Sequence, residues 1–68
     1  MIRSPKEREL LALAQEHGYV TPLMAEQIYA SGVARRGALQ HLCRAGFVRL
    51  EPGGVPRFVW TGKTEEEL

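Results

Sequence analysis

Asparagine and aspartate are both missing from this 68-residue sequence; cysteine occurs once, at Cys43, and histidine only at His17 and His41. Each shortage excludes something. A lone cysteine closes no disulfide within the chain, which fits a reducing, cytoplasmic setting. Two histidines, one cysteine and no aspartate provide no metal-ligand spacing, no P-loop occurs, and the glutamates fall on helix faces or near the C-terminus. No enzyme is expected, and no metal or other cofactor. Apolar runs stay well below the ~18 residues that a membrane span needs. The opening MIRSPKERELL lacks the long apolar stretch of a secretory leader. The absence of Asn and Asp is a bias compatible with a thermophilic source.

What is present fits one small domain, a chain able to bury roughly 60% of its unfolded surface. Residues 1–61 read as that domain and 62–68 as an acidic, flexible tail; Cys43 reads as a small buried side chain. Net charge is only +1, but it is unevenly spread. Residues 31–61 carry Arg35, Arg36, Arg44, Arg49 and Arg57 against Glu51 alone, a net +4. The tail sets Lys63 against Glu65, Glu66 and Glu67, a net −2. An anionic partner for the middle segment follows from that asymmetry.

Local signals order the chain. Ser4-Pro5-Lys6-Glu7 combines a hydroxyl cap, a first-turn proline and a capping-box glutamate. Leu10, Leu13, Ala14 and His17 follow at helical spacing with Leu11 on the flank, and Gly18 offers a left-handed stop. Tyr19-Val20 is a short extended link and a candidate minimal third strand. Thr21-Pro22 then starts a second helix to about Ala30, with Met24, Ala25, Ile28 and Tyr29 on one face. Ser31-Gly32-Val33 reads as a tight turn before a third helix over about 35–45, ended by Gly46. Leu39 and Leu42 mark its buried face, with Ala38 and Cys43 at the edges and Arg36, Gly37, Gln40, His41 and Arg44 opposite. Beyond Gly46 the period becomes alternating: 47–51 and 57–61 form two strands around the wing loop PGGVP, 52–56. The periodic positions Leu10, Leu13, Ile28, Leu39, Leu42, Val48 and Phe58 are the expected core.

Helix, helix, turn, helix and hairpin is the order of a winged helix-turn-helix, an α+β fold of three helices plus a two- or three-stranded antiparallel wing. Such a fold places its third helix in the major groove of double-stranded DNA, where N-terminal side chains reach base edges. Arg35 and Arg36 stand at the dipole-positive end, suited to phosphate or guanine. Gln40 suits adenine, and His41 shares the outer side. Gly37 leaves room for close backbone approach. Arg35 lies nearer the Leu39–Leu42 side than Arg36 does. Arg44, at the far end, suits a phosphate or the helix dipole, and Arg49 and Arg57 on the wing suit flanking phosphates or the minor groove.

LLALAQEHGYVTPLMAEQ, then SGVARRGALQHLCRAGFVRL and the hairpin resemble the N-terminal winged-helix domain of abortive-infection-type antitoxins and related prokaryotic regulators. The likeness covers about residues 8–60. It implies a DNA-binding fold acting in autoregulatory repression, with the recognition role on Arg35 and Arg36.

A sequence-specific regulator is thus the leading expectation. The alternative is a winged-helix module docking on a larger protein complex, favoured by Leu23, by Val55 at the wing tip and by the modest net charge. A single unit covers only about 600–1,000 Å² of DNA, so a homodimer or larger protein partner is expected.

Overall fold

The computed structural model describes residues 4–64. Helix α1 (Pro5–His17) leads into strand β1 (Tyr19–Val20), then helices α2 (Pro22–Ala25) and α3 (Gly32–Arg44), and strands β2 (Val48–Glu51) and β3 (Arg57–Trp60). Three helices and one three-stranded antiparallel sheet make an α+β fold, compatible with a winged-helix arrangement. The expected minimal third strand is present as β1. Glu65, Glu66 and Glu67 of the expected tail lie outside the described residues.

The caps do what their chemistry requires. Ser4 Oγ accepts from the Glu7 amide at 3.3 Å, and Thr21 Oγ1 accepts from that of Met24 at 3.2 Å, each satisfying an orphan donor of a helix start. Gly18 takes a left-handed φ of 85° and returns its N–H to the Ala14 carbonyl. At the end of α3, Gly46 (φ 87°) donates to Cys43 and Phe47 donates to Leu42, the paired bonds of a Schellman stop.

Two helix boundaries differ from expectation. α2 stops at Ala25 instead of continuing to Ala30, because the amides of Glu26 and Ile28 bond to carbonyls three residues back and tighten the chain into a turn. α3 starts at Gly32, not near Arg35. Ser31 is extended and serves as its cap: Oγ accepts from Ala34 and the carbonyl accepts from Arg35 at 2.9 Å. The reversal between α2 and α3 therefore falls on residues 26–30, and Gly32 is the first helical residue with no left-handed backbone.

The sheet order is β1-β3-β2. Val20 and Leu50 both lie opposite Phe58, and Val48 lies opposite Trp60, so these five share one face. Tyr19, Arg49, Val59, Glu51 and Arg57 share the other. The first face closes a core with α1 and α3 in which Leu10, Val20, Leu42, Phe47 and Val48 are fully buried. Leu10, Leu39, Leu42 and Val48 are buried as expected. Leu13, Ile28 and Phe58 are only half-buried at the core margin, while Leu11 and Phe47 lie inside it. The sheet takes the Leu10-Leu11-Ala14 side of α1, which turns Leu13 outward and leaves His17 exposed. Ala38, expected at an edge of α3, is buried.

Candidate nucleic-acid interface

Burying Ala38, Leu39 and Leu42 fixes which side of α3 looks outward. Val33, Gly37, Gln40 and Arg44 follow one another at four, three and four residues, a single ridge along the helix, and all are exposed. Arg36 stands beside this ridge on the wing side and is exposed too. α3 contains no acidic residue. Among the described residues, neither Arg36 nor Arg44 takes part in an ion pair. This side of α3 thus offers two guanidinium groups, an amide side chain, the methyl groups of Val33 and a bare stretch of backbone at Gly37.

Arg35 is engaged differently. Its Nη1 donates to the Tyr29 carbonyl at 2.9 Å, and its guanidinium lies over Gly32, where an added Cβ would meet Nη2 at 3.5 Å. It therefore fastens the turn before α3 to the helix start, and it is half-buried. Arg35 and Arg36 also rim a groove of about 340 Å³ between the start of α3 and the wing, floored by Leu39, Leu50, Pro56 and Phe58. Leu50 remains 53% exposed there.

His41 does not lie on the free ridge. Its Nδ1 is 3.1 Å from Glu7 on α1, which turns the ring toward the first helix and corrects its expected outward position. Lys6, one residue earlier, sits over the Tyr29 ring at 5.8 Å and brings a further cation toward the start of α3. Sequence reasoning passed over Lys6, because its neighbour Tyr29 is placed only by the turn after α2.

The wing arginines lie on the outer sheet face, away from the core. Arg57 Nη2 donates to Glu51 Oε1 at 2.7 Å, and its guanidinium lies over the Tyr19 ring at 5.2 Å. Arg49, two residues before Glu51 on β2, is exposed with no ion pair among the described residues. The five arginines of the middle segment are accordingly divided: Arg36 and Arg44 on α3, Arg49 and Arg57 on the sheet, and Arg35 as a fastener. Behind the site, Lys63 Nζ donates to the Ala45 carbonyl at 2.7 Å and lies over Phe47, while Trp60 Nε1 donates to the Lys63 carbonyl. These bonds secure the C-terminal end of α3, so Lys63 belongs to the packed domain and not to the expected flexible tail.

Among the described residues, no three His, Cys, Asp or Glu side chains gather closely enough to hold a metal ion, and no helix is long and apolar enough to cross a membrane. Burial pushes the Cys43 thiol above its ordinary range, opposed by a hydrogen bond with the Leu50 backbone. That thiol lines no part of the α3 ridge. No family model, curated protein or solved structure matches the chain.

Proposed function

We propose that this chain is a winged helix-turn-helix protein that binds double-stranded DNA and regulates transcription in a prokaryotic cytoplasm, in keeping with its resemblance to antitoxin-type repressors. α3 enters the major groove, and the 52–56 loop lies along the flanking backbone. The observation that carries this is the outer face of α3: Arg36, Gln40 and Arg44 exposed on a helix without a single carboxylate. Arg36 suits a guanine edge or a phosphate, Gln40 an adenine edge, and Arg44 a phosphate near the helix end. Arg35 acts at one remove by holding the helix start, and His41 by its bond to α1. Arg49, with no ion pair among the described residues, serves backbone phosphates, and Arg57 does so in competition with Glu51.

The test is a titration against random-sequence duplex DNA at two salt concentrations, followed by selection of preferred sites. Binding that weakens steeply with salt, with one sequence enriched, is the expected result. A second reading, docking on an acidic protein surface, is favoured by the apolar groove between α3 and the wing. It predicts no salt-sensitive affinity for duplex DNA at micromolar concentration.

A further inference from the structure

Two features of the α3 ridge have no explanation inside the protein. Val33 is 78% exposed, the most exposed of the large apolar side chains among the described residues. It is β-branched, stands in the first turn of a helix and adds nothing to the core. One helical turn further on, Gly37 has no left-handed backbone, and nothing lies within 4 Å of where its Cβ would be. Neither backbone geometry nor packing requires glycine there, although glycine weakens a helix interior. Its missing side chain leaves the helix backbone bare toward the outside of the molecule.

Both features fall on the same line of α3, with Arg36 on one side and Gln40 following on the ridge. We infer that Val33 and Gly37 form a thymine-reading contact: the bare backbone at Gly37 lets α3 approach the floor of the major groove closely, and the Val33 methyl groups meet the 5-methyl group of a thymine. This rests on the DNA-binding function proposed above. The chemistry follows from the groove itself, where the thymine methyl is the one apolar group that base edges display. An exposed valine has apolar surface left in water, and covering it against that methyl is favourable. Arg36 and Gln40 flank this contact with donors for the neighbouring base edges.

The experiment uses the full chain and a duplex enriched by it from a random library. That duplex is resynthesised with deoxyuridine replacing thymidine one position at a time, which removes the methyl group and leaves the pairing intact. Wild type should bind about fourfold more weakly when the contacted thymine loses its methyl, the loss expected for one methyl-sized apolar group. Val33→Ala should bind the thymidine and deoxyuridine forms of that position equally. Gly37→Ala should melt at a higher temperature than wild type yet bind the duplex at least tenfold more weakly, a combination that loss of folding does not produce. An enriched duplex that tolerates deoxyuridine at every position overturns the inference and leaves DNA binding intact. So does a Val33→Ala variant that keeps the preference for thymidine, or a Gly37→Ala variant of undiminished affinity. Absence of any salt-sensitive duplex binding by wild type overturns both together.

Discussion

His41 on α3 holds its Nδ1 3.1 Å from both carboxylate oxygens of Glu7 on α1, joining residues 34 apart in sequence. Both side chains are partly shielded from water, so this is more than a screened surface pair. It ties the C-terminal half of α3 to the first turn of α1. His41→Ala should lower stability by about 1 kcal/mol and the melting temperature by roughly 4–8 °C. Thermal unfolding followed by circular dichroism measures it; an unchanged midpoint means that the pair does not brace the helix.

Phe47 should be a more sensitive position than any predicted from periodicity. It is fully buried, its amide completes the stop of α3, and its carbonyl accepts from Thr61. Phe47→Ala should cost about 3–5 kcal/mol, and Leu39→Ala about 2–5 kcal/mol, which a chain this short has little margin to absorb. Urea titration should find Phe47→Ala largely unfolded without denaturant. A cooperative transition near the wild-type midpoint is the contrary result.

The two groups of arginines should separate in their salt dependence. Arg44→Ala should weaken binding to all duplexes alike and reduce the salt slope by about one unit. Arg36→Ala, if it pairs with guanine, should cost about 1–3 kcal/mol at the preferred site and relax specificity there. Arg57→Ala should change the slope less than Arg44→Ala, because Glu51 already offsets its charge. Affinities at two salt concentrations decide, and an Arg57 effect equal to that of Arg44 means that the Glu51 pair opens on DNA.

Alkaline pH should destabilise the fold in two stages. Burial raises the Cys43 thiol above its ordinary 9.0 and, more than nearby groups do, the Tyr29 phenol above its ordinary 10.0. Each group holds its proton more tightly folded than unfolded. Its contribution is therefore complete below the ordinary pKa and is lost as pH climbs through the raised one. Urea midpoints between about pH 8 and pH 11 should begin to fall near pH 9. Cys43→Ala should delay that decline until Tyr29 governs it; the same onset in both proteins assigns it elsewhere.

Much of the fold was legible because its signals are local. Ser4-Pro5 and Thr21-Pro22 announce helix starts through their own hydroxyls and rings, and Gly46 divides helical from alternating periodicity. Ser31-Gly32-Val33 reads as a tight turn in the sequence and is a helix cap and first turn in the structure, since a hydroxyl followed by glycine suits either. The contact that favours the cap, Arg35 against the Tyr29 carbonyl, depends on where α2 ends. Leu11 and Leu13 fit the stripe of α1 comparably, and only the position of the sheet chooses between them. His41 could not be assigned to α1 from spacing on its own helix. The Glu51–Arg57 pair was within reach, because these residues flank the 52–56 loop and face each other in the simplest hairpin register.

β3 is the middle strand of the sheet and also the last element among the described residues. While the polypeptide is being synthesised, β1 and β2 have no ladder to join, and Tyr19 waits for Val59. Helices form early from local contacts, but the layer that fixes their mutual positions closes only when the final strand has emerged. Until then Val20, Phe47 and Val48 have no complete apolar surroundings. Closure of the sheet is thus tied to the emergence of β3, and a ribosome stalled within the 52–56 loop holds helices without a scaffold.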